Sequence, residues 1–194
     1  MLGGFDPAAS PPLLVDQMSA LATAQVLEQF VATNDGFLGA ITDLDQATWE
    51  TIAEAPAGYI AIRVLAQHAL WDCWIHERDI VLPLAIDPVL CDDEVRTCLR
   101  FAASVSPALG LGLGCEVRGS FAVAATDPDV QFVLDVDDTV ALVGGTDHGD
   151  RPCLRGDAVQ LVEALSLRAP MPASAPAEWT DLLAGLATAF DSPI

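Results

Sequence analysis

Apolar residues recur along the first half of the chain at intervals of three, four or seven, the period of a helix. Along much of the second half they recur at two, the period of a strand. Leu14, Leu21, Ala24, Leu27, Val31, Phe37 or Leu38, Ile41 and Leu44 predict one long helix over about 13–44. Ser10-Pro11 supplies its start, with Gly36 and Gly39 as weak points. Asn34 falls within that stripe and reads as a satisfied core amide. Asp45 to Gly58 carries Trp49 and the breaker Pro56-Ala57-Gly58 and reads as a connection. A second long helix is predicted over about 59–82, ended by Pro83 and Asp87-Pro88. A third runs over about 92–105, with Asp92, Asp93 and Glu94 at its positive end and Val95, Cys98, Leu99, Ala102 and Val105 on its apolar face.

The period then changes. Ser106 to Gly114, SPALGLGLG, matches neither G-x-x-x-x-G-K nor G-x-G-x-x-G and reads as an interdomain linker. From Cys115 to Val123 the chain alternates as a strand. Val130 to Val136 and Thr139 to Val143 follow as further strands, and Arg151 to Arg155 as a short one. The turn acids Asp135, Asp137 and Asp138 lack the EF-hand spacing and read as solvated side chains. Gly156-Asp157 caps a helix through Leu165 that ends at Arg168-Ala169-Pro170. A last helix over 178–190 buries Trp179, Leu182, Leu183, Leu186 and Phe190. The fold class is α+β: a helical half over 10–106, then a small antiparallel sheet with helices over 114–191.

Charge removes some function classes. The chain has 28 acids against 8 bases, a net charge of −20, and all the bases are arginine. Such a surface repels phosphate backbones and anionic membranes, so neither nucleic acid nor a membrane is an expected partner. The absence of lysine suggests a GC-rich genome. The 5 cysteines form no C-x-x-C pair and are odd in number, which fits a reducing cytoplasm better than a disulfide framework. MLGGFDPAAS has neither the positive nor the apolar region of a signal peptide.

Chemistry concentrates in Ala66 to Leu82, AQHALWDCWIHERDIVL. His68, Asp72 and His76 stand four residues apart and share a helix face. The surrounding side chains are large and apolar, so a buried carboxylate there needs a partner or a metal. Imidazole with carboxylate at i and i+4 is a compact clamp for zinc or another borderline divalent ion. The three residues span about 12 Å, too far for one ion; two of them can ligate, the third being outer or structural. A plainer reading is open: Asp72 hydrogen-bonded between two histidines in a bundle. His148, in GGTDHGD, reads as an exposed loop residue, and Cys73 as core.

The run HALWDCWIHERDI resembles the fourth-helix signature of the mycothiol-dependent maleylpyruvate isomerase family, whose metal-binding domain is a DinB-like four-helix bundle. Asp72, His76 and Asp79 occupy its positions for an acidic ligand, a histidine and a following Asp; the acidic ligand there is usually Glu. GDAVQLVEALSLR is similar to a Gly-led helix of the family's sterol-carrier-like second domain, and Arg168 stands where that helix ends in Arg. The family has two further helices upstream, one with another ligating histidine; the resemblance therefore implies either a truncated version or a bundle completed by other means.

The resemblance implies a divalent metal, zinc first, that holds a low-molecular-weight thiol such as mycothiol as thiolate for attack on an electrophilic substrate. It implies Asp72 and His76 as ligands and Arg168 as a catalytic residue that pairs with a substrate carboxylate. The alternative is a non-catalytic binding or interaction protein with an incomplete metal site. Half a bundle leaves apolar stripes uncovered, so a homodimer sharing one metal site is expected.

Overall fold

The protein is described by a computed structural model over residues 10–55, 58–144 and 149–191. The fold is α+β, helices first and a small sheet afterwards. The chain divides into two compact units, Met1–Ala66 and Gln67–Pro193.

In the first unit, the expected long helix is two helices, α1 (Ser10–Ser19) and α2 (Thr23–Ile41). The break has a local cause. Ser19 Oγ donates to Val15 O at 2.8 Å, and the Gln25 side chain accepts from the Ala22 backbone N–H at 3.0 Å, starting a new helix there. Gly36 and Gly39, the anticipated weak points, lie within α2. Leu27, Phe30, Val31 and Leu38 form its apolar stripe, yet α2 buries no residue and Phe30 is 61% exposed. Asn34 is half-buried and donates to Phe30 O at 2.8 Å, so its own helix, and not a core, satisfies its amide N–H.

The connection over 45–58 has structure of its own. Asp45 caps α3 (Gln46–Trp49), its Oδ1 accepting from Thr48 N at 2.8 Å. A two-stranded antiparallel ribbon follows, β1 (Ile52–Ala55) against β2 (Gly58–Ala61), with Ile52 opposite Ala61. Pro56 and Ala57 of the expected breaker lie outside the described residues. The Tyr59–Ile60 pair, expected to open the second helix, is therefore strand, and α4 covers Ile62–Val81.

The second unit holds the core. Helix α5 (Asp92–Gly112) opens on the three acids of its first turn and runs through Pro107 to Gly112, so most of SPALGLGLG, expected to be a linker, is helix inside the second unit. Small residues here serve helix packing. Ser106 is buried; its Oγ donates to Leu183 O at 2.5 Å and accepts from Leu186 N at 3.2 Å. Gly185 lies so close that a Cβ there would overlap Ser106 O and Gly110 N.

The sheet order is β5-β4-β3-β6, with β3 (Gly119–Thr126), β4 (Val130–Val136), β5 (Val140–Val143) and β6 (Cys153–Asp157). Three strands are antiparallel and β6 runs parallel to β3, so the sheet is mixed. Strand β3 starts at Gly119, later than the alternation from Cys115 predicts. Asp157 caps α6 (Ala158–Leu165), its Oδ1 accepting from Gln160 N at 3.0 Å.

The expected last helix is a 3-10 turn (Ala177–Trp179) and two short helices, α7 (Thr180–Leu183) and α8 (Gly185–Asp191), bent where Gly185 meets α5. Trp179, Leu182, Leu183 and Leu186 are buried as the pattern requires; the Phe190 side chain lies outside the described residues. Phe121 on β3 meets Trp179 with ring centres 4.7 Å apart. Among the described residues no helix is long and apolar enough to cross a membrane.

Candidate metal centre and the cleft beside it

Helix α4 buries Trp71, Trp74, Ile75 and Arg78, spaced three, four and seven apart, on one face. Asp72 and His76 fall on the other side, each about half exposed as a side chain, 52% and 56%. The carboxylate expected within an apolar bundle is therefore solvated. Cys73, expected in the core, is exposed too, and partial burial followed by the charge of Asp72 pushes its thiol pKa up, away from thiolate chemistry. The core thiol of α5, Cys98, is held neutral, its pKa pushed up to about 12 by burial.

His68 stands apart from the pair. Eight residues of helix turn a side chain by about 80°, enough to carry it to another face. There its ring stacks on Phe101 at 5.5 Å and meets Trp71 at 5.8 Å, while Trp71 Nε1 donates to the buried Ser166 Oγ at 2.8 Å. His148 lies outside the described residues.

Asp72 and His76 are brought together, His76 Nε2 lying 3.6 Å from Asp72 Oδ1. The other ring nitrogen, Nδ1, is 3.0 Å from Asp79 Oδ2. With Nδ1 as donor, Nε2 carries the lone pair beside Asp72. Asp79 is held in turn by Arg168, whose Nη2 and Nε donate to its two oxygens at 2.8 and 3.3 Å. That fork, with His76 adding to it, keeps the Asp79 carboxyl below its ordinary pKa.

Arg168 reaches Asp79 because of how α6 ends. Leu167 takes a left-handed conformation, φ 64°, and donates to Ala164 O, while Arg168 N donates to Glu163 O at 2.8 Å. A leucine carries a turn that ordinarily favours glycine, at a cost of about 1–2 kcal/mol. Arg168 Nη1 then donates to Ser166 O at 2.6 Å. The sequence singles out Arg168 and Asp79 separately but not their pairing, which spans 89 residues.

The donor set fits a metal ion as a two-ligand clamp. Zinc ligands at about 2.1 Å in tetrahedral geometry stand about 3.4 Å apart, close to the His76–Asp72 separation. A His ligand whose second nitrogen donates to a carboxylate is the usual outer support of such sites. Among the described residues, no group of three or more His, Cys, Asp or Glu is gathered closely enough to hold an ion alone.

A cleft of about 300 Å³ opens beside Asp79, lined by Trp74, Ile75, Arg78, Leu82, Pro83, Glu163 and Arg168 as well. The Arg78 guanidinium lies 3.2 Å from the centre of the Trp74 ring, a cation–π stack at i and i+4. Burial pulls its pKa down and Glu163 resists, though Arg78 Nε is 3.9 Å from Glu163 Oε1, too far for a hydrogen bond. Arg78 Nη2 and Trp74 Nε1 are buried without a hydrogen-bond partner among the described residues. Each such orphan costs about 1–3 kcal/mol. Arg78 has one signal in the sequence, an arginine at core spacing from two tryptophans, Trp71 and Trp74.

Comparison with protein-family models, with curated proteins and with solved structures finds no match to this chain.

Proposed function

We propose that the chain binds a divalent metal, zinc first, through Asp72 and His76, and that the site serves thiol-dependent isomerase or transferase chemistry of the mycothiol-dependent kind. The observation that supports this reading is the ordered run Arg168–Asp79–His76, which leaves His76 Nε2 3.6 Å from Asp72 Oδ1. A bound ion would supply Lewis acidity and hold a small thiol as thiolate. The chain's own residues have separate roles. Asp79 fixes the His76 tautomer, Arg168 fixes Asp79, and the remaining ligand positions fall to solvent, the thiol or another chain.

Calorimetric titration with zinc tests the clamp. Wild type binds, His76→Ala does not, and Asp79→Asn weakens affinity by about 10–100-fold, as loss of an outer carboxylate does. Affinity falls towards acid pH because protons compete for both ligands. Equal binding by wild type and His76→Ala overturns the metal reading.

A second reading, an interaction protein, is favoured by the exposed stripe Leu27, Phe30, Val31 and Leu38 on α2. A homodimer through this face would place two apolar stripes against each other. Light scattering reads it directly: twice 20.4 kDa at micromolar concentration supports the dimer, and 20.4 kDa sinks it.

A further inference from the structure

We propose that the cleft between α4 and the end of α6 binds a small molecule carrying one carboxylate on an apolar body, with Arg78 anchoring the carboxylate and Trp74 giving it a second N–H. Among the described residues, two buried side-chain polar atoms lack a partner, Arg78 Nη2 and Trp74 Nε1. Both are donors, both belong to stacked neighbours, and both side chains line the same cleft. An acceptor with several lone pairs answers both, and a carboxylate has about four such sites.

Charge narrows the choice. The protein carries only 8 bases against 28 acids, yet places a guanidinium, 4% exposed, in this wall. The core satisfies this arginine only in part: Nη1 donates to Trp74 O at 3.3 Å, while Nη2 has no partner among the described residues. Glu163, at 3.9 Å, offsets the charge of Arg78 without accepting its proton. The same carboxylate repels a dianion such as a phosphate monoester, so a monoanion suits the cleft. Ile75, Leu82 and Pro83 supply the apolar wall, and about 300 Å³ fits a short acid. Neither Asp72 nor His76 lines the cleft, so this inference does not rest on the metal reading.

The test uses the full chain, freed of metal with chelator and labelled with nitrogen-15. Hexanoate and its neutral amide, hexanamide, are the probes. The indole N–H signals of the 4 tryptophans are followed, Trp74→Phe identifying the one that matters. Hexanoate should move the Trp74 signal to saturation and hexanamide should not. Glu163→Gln removes the competing charge and should tighten binding by about threefold or more. Arg78→Met should abolish binding. Because loss of Arg78 can unfold the unit, Leu82→Glu provides a second variant at a position 49% exposed. It sets a charge in the wall and should weaken hexanoate by about tenfold or more with the fold intact. A Trp74 signal unmoved by hexanoate up to about 100 mM, a generous ceiling for so few atoms, in both wild type and Glu163→Gln overturns the proposal. So does equal response to the amide, or unchanged affinity in folded Arg78→Met or in Leu82→Glu; the two donors are then served by water.

Discussion

Helices α2 and α5 both carry apolar side chains at helical spacing and come to opposite ends. On α2, Leu27, Phe30, Val31 and Leu38 are all exposed; on α5, Val95, Cys98, Leu99 and Ala102 are all buried. Periodicity names the face a helix would bury and is silent on what covers it. The difference lies in the neighbours' shape. Helix α5 follows its large residues with Ala102, Ala103, Ser106 and Gly110, all buried, so other backbones come close and its stripe is closed over. The stripe of α2 has no such small buried positions, and among the described residues its unit supplies no sheet beyond a two-stranded ribbon.

The contrast can be broken by truncation. Phe121→Ala empties a site that is fully buried between β3 and Trp179 and should cost about 3–5 kcal/mol. Leu27→Ala, on an exposed stripe, should stay within about 0.5 kcal/mol. Urea unfolding of both variants measures the gap; a Leu27→Ala loss as large as that of Phe121→Ala means that α2 is covered in solution.

A smaller effect sharpens the boundary of the core. Ser166→Ala leaves Trp71 Nε1 buried without its acceptor and should cost about 1–3 kcal/mol, read as a shift of the urea midpoint at unchanged slope. The smallest effect belongs to the half-exposed site. Asp79 has a depressed folded pKa, so its pairing stabilises the fold above the unfolded carboxyl pKa, about 3.9, and that contribution is lost as pH falls through the folded value. Partial exposure keeps it below about 1 kcal/mol. Arg168→Met should remove this acid-side slope from a melting curve against pH while shifting the neutral melting temperature by only a few degrees. A collapse at neutral pH would make Arg168 structural.

What could be read from sequence follows the range of the interactions concerned. Asp157 and the helix behind it were legible, because a cap and its N–H lie three residues apart. The strand Val130–Val136 was legible for the same local reason. Asp72 and His76 were legible as a pair by their spacing, but their exposure was not, since the choice between two helix faces is made by α5 and Ser166. SPALGLGLG misled because glycine and proline break isolated helices; here tertiary contact overrides that propensity. The Asp79–Arg168 fork joins residues 89 apart, and no local pattern encodes it.

Gly185 has a consequence for how this sequence can drift over time. Nineteen other side chains begin with a carbon that has no room between Ser106 O and Gly110 N, so no single amino-acid substitution is neutral there. Escape would take a concerted rewrite of both helices, a shift of one past the other with new partners for Ser106. Gly185 and the turn of α5 from Ser106 to Gly110 therefore form a matched set, to be inherited together or lost together, and swapping either half between diverged chains should fail where swapping both succeeds.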